Sequence, residues 1–285
     1  MKWSLLVDRY LQDRRRLGYS LIIDGRILKG FAAFADAKNM TLPLSFPEVL
    51  EWANLAPSGS EIAISRRVAI VRALSLYLHT IDPSSPVIPT SKIGRTHRRL
   101  PPYIYSKEEM LACLSAAKNL LPAYGIRPLT IHTVLGLLAS SGLRPGEAVR
   151  LRRDDVNLDS GTLTVNQSKN WNRRLVPLDK SAVECLQAYR SVRDLFEPLM
   201  QSSSFFLMDD GKGLNIRDAD HAFNVIRREV GLQRKVNGRY PRLYDFRHTF
   251  VCRRVQSWYE SGLDANLLIP ELSRFIGHKK ISDTY

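Results

Sequence analysis

Ile131-His-Thr-Val-Leu-Gly-Leu-Leu-Ala-Ser-Ser-Gly-Leu-Arg-Pro-Gly-Glu147 is the stretch whose reading decides the fold. Ile131, Val134, Leu135 and Leu138 recur at the spacing of one helical face, which predicts a helix packed in a core. The glycines and proline of Ser141-Gly142-Leu143-Arg144-Pro145-Gly146-Glu147 then break the period, so the chain turns there. Arg144 and Glu147 stand three residues apart at this break. Taken alone, they read as a local ion pair worth roughly 0.2–0.5 kcal/mol. After the turn the period changes: Thr162 to Val165 alternates polar and apolar residues, as does Arg174-Leu175-Val176, and a polar segment between them predicts a β-hairpin. Phe205 to Met208, closed by Asp209-Asp210-Gly211, reads as a further strand. From Ala219 onward the pattern is helical again. Before the turn, Ser106-Lys-Glu-Glu109 has the form of a capping box, so a second domain begins near Tyr103.

The first ~80 residues read as helices. Ile27, Leu28, Phe31 and Phe34 share one helical face, and Ile64, Val68, Val71, Leu74 and Leu78 mark a longer one. Between them Ser45, Pro47 and Trp52 suggest a short helix with a polar start and a proline in its first turn. Arg14-Arg15-Arg16, Arg66-Arg67 and Arg72 fall on the outer faces of this bundle, where they either grip phosphates or are simply solvated. Asp82 to Arg99 combines three prolines with Lys92, Arg95, Arg98 and Arg99, a composition that resists both helix and central strand. The expected organisation is thus a helical domain over 1–82, a basic proline-rich linker over 83–102 and a mixed α/β domain over 103–285. The fold class is mainly α with a small antiparallel β-sheet.

Two domains are also what 285 residues lead one to expect. Lys+Arg number 42 against 28 Asp+Glu, a formal charge of +14. The excess is shared, with 15 basic and 8 acidic residues up to position 100 and 27 against 20 beyond it. Such a balance favours a polyanionic partner, although a merely soluble basic protein would show it too. Cys113, Cys185 and Cys252 are widely spaced and lack a C-x-x-C pair, so neither a disulfide framework nor a structural metal is indicated and a reducing compartment fits. Leu5-Leu6-Val7 is too short for a signal-peptide core, and no stretch approaches ~18 uninterrupted apolar residues. A cytoplasmic protein, with no membrane partner, is expected.

Two further segments carry candidate chemistry. Tyr244-Asp245-Phe246-Arg247-His248-Thr249 opens a helix that continues through Val251, Val255 and Trp258. Tyr244 and Arg247 would share a face there. Asp245 suits a helix start, and His248 is more often a satisfied core histidine than a catalyst. In Phe275-Ile276-Gly277-His278, followed by Lys279 and Lys280, Gly277 would end one helix and leave His278 in a turn able to face a phosphate.

With these segments in order, nearly the whole chain resembles the tyrosine recombinase family, the phage-type integrases. The residues that carry the likeness are Arg144 and Glu147 in Gly-Leu-Arg-x-x-Glu, Lys169 on the hairpin ahead of Arg174-Leu-Val-Pro-Leu178, Arg247 in the box from Tyr244 to His248, and Gly277-His278. The resemblance implies that the N-terminal bundle is a core-binding, SAM-like DNA-binding domain. It also implies site-specific cutting and rejoining of double-stranded DNA by a homotetramer in a synaptic complex, each subunit clamping the duplex and accessory bending proteins assisting in some systems. Arg144 and Arg247 would bind the non-bridging oxygens of the scissile phosphate as charge accumulates there. Lys169 would protonate the departing 5′ oxygen, and His278 would hydrogen-bond the phosphate. A tyrosine would attack, conserving the bond energy in a 3′-phosphotyrosyl link, so that no metal, ATP or other cofactor is implied. Arg14, Arg15, Arg66, Arg67, Lys92, Arg95, Arg98, Arg99 and Arg174 are the further candidates for DNA contact. A nucleoid-associated location and a role in transposition or integration follow from the same likeness.

The sequence departs from the family pattern in two places. The first box position, usually histidine, is Tyr244; a phenol, with a reference pKa of ~10, donates a hydrogen bond but is a poor base near neutrality. The attacking tyrosine of the family lies farther from the Gly-His histidine than Tyr285 does, which places it just past residue 285, with Tyr285 as the alternative nucleophile. A non-catalytic DNA-binding protein derived from such enzymes, or a type IB topoisomerase that relaxes supercoils, are the competing readings.

Overall fold

In the computed structural model the residues described are 2–96, 100–166, 173–196, 202–233 and 238–278. The chain forms two compact units, residues 1–100 and 101–285. The first is built from α1 (Trp3–Arg16), α2 (Ile22–Ala37), α3 (Phe46–Asn54) and α4 (Glu61–Ile81). Ser45 caps α3 by accepting from the Glu48 amide, with Pro47 in the first turn, and Ser60 caps α4 through the Ala63 amide. The apolar faces meet in a core where Trp3 packs edge-on to Phe31 at 5.6 Å and Phe31 to Trp52 at 5.2 Å. The Trp3 indole N–H, buried with its ring, donates to the Met40 carbonyl at 2.9 Å.

Residues 83–100, read from composition as an extended linker, belong to this first unit. Ile88 is part of its core. The Arg72 Nε donates to the Ile88 carbonyl at 2.9 Å, and the Ile88 amide donates to Ser75 Oγ at 3.2 Å. Prolines keep this segment from becoming a longer helix or strand, but Ile88 is buried where α4 offers polar partners for the backbone. Arg72, expected on an outer face, is the arm that fastens it.

The second unit opens with α5 (Lys107–Lys118), where Ser106 and Glu109 form the expected capping box. Next comes α6 (Arg127–Ser141), which packs against α5 and, later in the chain, against α8 (Lys180–Phe196) and α10 (Asp245–Glu260). It is enclosed by helices, which is why its sequence is apolar around most of its circumference. Gly142 stops it at φ +61, and a Cβ there would lie inside the Phe250 ring's contact distance. The short α7 (Pro145–Ala148) follows. Strands β1 (Val156–Asn157), β2 (Thr162–Asn166) and β3 (Arg173–Pro177) form an antiparallel sheet in that order, with Leu163 opposite Val176 and Val165 opposite Arg174. Leu163, Val165 and Val176 point into the core. The unit closes with α9 (Ile216–Glu229) between α8 and α10, and with α11 (Ala265–Ile276) after α10.

Phe205 to Met208 is not a strand. It takes part only in isolated bridges, Leu207 with Gly213 and, beside it, Ser204 with Arg152. Phe205, Phe206 and Leu207 are all buried in succession, which an alternating strand on one core face does not permit. Side chains complete the few backbone bonds these bridges leave: Arg193 donates to the Phe205 carbonyl, Thr130 to the Leu207 carbonyl, and the Leu207 amide donates to the Tyr189 hydroxyl, while the Phe205 amide reaches the Leu151 carbonyl. Among the described residues, no helix is long and apolar enough to cross a membrane.

Candidate active site

Four segments of the second unit meet at the C-terminal end of α11. A helix end leaves its last carbonyls without intrahelical partners and carries partial negative charge, so cations are favoured there. Three consecutive carbonyls are met by three guanidiniums from distant parts of the chain. Arg174 Nε donates to the Phe275 carbonyl at 3.1 Å, Arg247 Nη2 to Ile276 at 2.8 Å and Arg144 Nη2 to Gly277 at 2.9 Å. Gly277, at φ +73, ends the helix in the left-handed conformation, and the His278 amide returns to the Ser273 carbonyl at 2.9 Å. The turn that holds His278, half-buried, is thereby tied to the arginines.

Glu147 is the counter-charge. Its carboxylate accepts from Arg144 Nη1 at 2.8 Å and from the Arg144 amide at 3.0 Å. On its other side Arg174 Nη1 and Nη2 bind both oxygens, at 3.1 and 2.8 Å. Its side chain is only 6% exposed, and burial pushes its pKa up, but the Arg174 and Arg144 contacts outweigh this and bring it down to about 2. The ion pair read as local is thus one half of a buried bridge between two arginines.

Arg247 is 2% exposed, and its Nη1 also donates to the Gly142 carbonyl at 2.8 Å. Burial, followed by the nearby charge of Arg144, lowers its pKa to about 10, so it stays a cation at neutral pH. Arg144 is the more open of the pair, with its side chain 32% exposed. Each guanidinium has five N–H donors, and the contacts above use two on each. Tyr244 stands at the start of α10, half-buried, three residues before Arg247. Its ring lies 5.4 Å from that of His248. Burial lowers the pKa of His248, opposed by the negative charge of Asp245. Asp245, which suits a helix start by sequence, is fully buried: Arg242 donates to it through its amide and Nη2, and Arg239 stands 3.9 Å away.

Arg144, Arg247, Tyr244 and His278 are therefore brought around one helix end. Lys169, Tyr285, Arg98 and Arg99 lie outside the described residues. Of the candidates for DNA contact in the first unit, Arg15, Arg66, Lys92 and Arg95 are exposed, while Arg14 lies half-buried with its guanidinium 4.2 Å over the Tyr19 ring. Two expectations are corrected. Arg67 is turned inward, stacked 4.7 Å over Trp52 and donating to its carbonyl at 3.1 Å. Arg174 is likewise internal, its guanidinium engaged by Glu147 and Phe275 rather than facing solvent. The signal was present in its strand: alternation puts Arg174 on the same inner face as Val176, and Leu175 outside.

Comparison with known proteins identifies the family and the fold. The sequence profile of the Phage integrase family matches residues 105–285. A Sinorhizobium fredii (strain NBRC 101917 / NGR234) protein, y4rB, which carries the name integrase/recombinase, is 33% identical over 282 residues, covering 98% of this chain and 90% of its own. Tyrosine recombinase XerC of Chlamydia caviae is 27% identical over 227 residues, 78% of this chain and 65% of that one. Among solved structures, the Tn1549 transposon integrase in complex with transposon right end DNA aligns with a TM-score of 0.73 at 14% identity, over 100% of this chain and 93% of its own. A lambda integrase tetramer bound to a Holliday junction aligns at 0.66 and 16% identity, over 98% and 77%. The chain belongs to the phage integrase family, the tyrosine recombinases.

Proposed function

We propose that this protein is a site-specific recombinase that cuts and rejoins double-stranded DNA through a 3′-phosphotyrosyl intermediate. The observation that carries the reading is the convergence of Arg144 and Arg247, more than 100 residues apart, on the adjacent carbonyls of Gly277 and Ile276. Two fixed guanidiniums, with N–H groups left over, suit the charge that develops on a phosphodiester's non-bridging oxygens during attack. Arg144 and Arg247 bind that phosphate, and His278, on the turn they hold, donates to it. Tyr244 contributes a hydroxyl donor beside Arg247 where the family usually has an imidazole. Lys169 protonates the leaving 5′ oxygen, and a tyrosine of the C-terminal segment attacks. The tetramer on a Holliday junction seen for lambda integrase supports the same assembly here, and the transposon DNA bound by the Tn1549 integrase supports a mobile-element role. The exposed Arg15, Arg66, Lys92 and Arg95 serve the DNA backbone.

The test is covalent capture. Full-length protein incubated with nicked duplexes from a randomised pool should give a protease-sensitive protein–DNA adduct at one sequence in the presence of EDTA. Arg247→Ala should lower adduct formation at least ~100-fold, the scale of losing a transition-state donor. An adduct that never forms, or one that Arg247→Ala leaves unchanged, would refute the mechanism.

A further inference from the structure

Arg174 does not sit where a DNA-contacting residue would. Its side chain is 11% exposed on the inner face of β3, and three of its nitrogens are directed at acceptors on two other elements. Nη1 and Nη2 form a two-point bond with the Glu147 carboxylate, and Nε reaches the Phe275 carbonyl. The same carboxylate, from its other side, orients the Arg144 guanidinium and caps the Arg144 amide. A planar fork fixes a carboxylate in both position and rotation, which a single ammonium does not. Remove the fork, and a buried carboxylate is left to orient Arg144 with one of its two cations gone. The end of α11, whose next two carbonyls hold Arg247 and Arg144, loses its tie to the sheet at the same stroke.

We propose that Arg174 is a positioning residue for strand cleavage. Acting through Glu147 and the Phe275 carbonyl, it sets the direction of the Arg144 guanidinium and the seat of the Gly277-His278 turn, and it does not itself touch DNA. β3 is paired with β2, so the same side chain ties this sheet to the arginine pair. The inference rests on the reading that Arg144 binds the scissile phosphate. Geometry of this kind acts on rate rather than affinity, since a small misplacement of a catalytic donor is felt mainly in the transition state.

The experiment is a double-mutant cycle on the full-length protein with Arg174→Lys, Arg144→Lys and the pair, using nicked duplexes recovered by covalent capture. Single-turnover cleavage at saturating protein, duplex affinity by fluorescence anisotropy and thermal unfolding are measured for each. Arg174→Lys should bind duplex within about twofold of the parent and cleave roughly 10- to 100-fold more slowly. Because both residues work through one guanidinium, the pair should be no more than about threefold slower than Arg144→Lys alone. Penalties that multiply, cleavage by Arg174→Lys within about twofold of the parent, or a lost affinity with an intact saturated rate would each overturn the proposal. If Arg174→Lys is unfolded at the assay temperature, Glu147→Gln replaces it in the cycle, with the same non-additivity expected and multiplied penalties again overturning it. Arg144→Lys cleaving at the parent rate would instead overturn the phosphate-binding reading beneath it, an outcome that does not involve position 174.

Discussion

At the scale of single residues, Glu147 stands between two cations, Arg144 and Arg174. A carboxylate with its side chain 6% exposed is stable only because Arg144 and Arg174 meet it from both sides. Its folded pKa, about 2, lies below the reference value of 4.5, so folding favours the ionised form. The stabilisation is fully present above pH ~4.5 and is lost as pH falls toward 2, an amount on the order of 3 kcal/mol for the second unit. Glu147→Gln should therefore unfold more readily than the parent at pH 7, by a few kcal/mol, with the two drawing together as pH falls through that window. Denaturant titrations at pH 7, 5 and 3 measure this, and a gap that stays constant with pH would show that the carboxylate's charge is not what matters. The pairing of Arg144 with Glu147 was legible from their spacing. That Arg174 shares the carboxylate was legible only in principle: its strand alternation pointed inward, while its charge suggested the DNA side, and the partner 27 residues earlier carries no local signal.

Among elements, the junction of α6, α10 and α11 decides whether the arginines meet at all. Gly142 serves it in two ways, ending α6 at φ +61 and offering its carbonyl to Arg247 from a backbone pressed against Phe250. Gly142→Ala should cost roughly 2–5 kcal/mol, combining left-handed strain of about 1–2 with overpacking of about 1–3. It should also slow cleavage more than it weakens DNA binding, because the Arg247 contact shifts with it. A melting curve and a cleavage assay check both parts; an unaltered melting temperature would contradict the packing account. The Ser106 capping box, the polar start of α3, the α4 and α6 faces and the two hairpin strands were readable in advance because they depend on neighbours a few residues away. Phe205 to Met208 was misread since its backbone is bonded partly to short backbone contacts, such as the Phe205 amide to the Leu151 carbonyl, and partly to the side chains of Thr130, Tyr189 and Arg193, which no local pattern foretells. The linker was misread for a similar reason: composition revealed that it is irregular, but not that Ile88 is drawn into a core.

For the molecule as a whole, the charge excess is divided between two compact units, and affinity for DNA should fall steeply with salt, with a log–log slope of about −0.9 per phosphate contact. Within the first unit, exposure now separates the basic residues. Reversing Arg95 to Glu should flatten the slope by about one contact with little effect on stability, whereas Arg67→Ala should destabilise the bundle through its Trp52 contact and leave the slope nearly unchanged. Anisotropy titrations from low to moderate salt distinguish the two, and an Arg67 effect confined to the slope would reverse the assignment. The central claim remains that fixed guanidiniums neutralise one scissile phosphate. It is tested most directly with a duplex in which a methyl group replaces one non-bridging oxygen at the cleavage position, removing the phosphate's charge. Arg144→Ala, severely slowed on the ordinary phosphate, should regain most of its cleavage on the uncharged linkage. If the variant stays as defective on the methylphosphonate as on the phosphate, Arg144 does not act on that charge and the account is wrong.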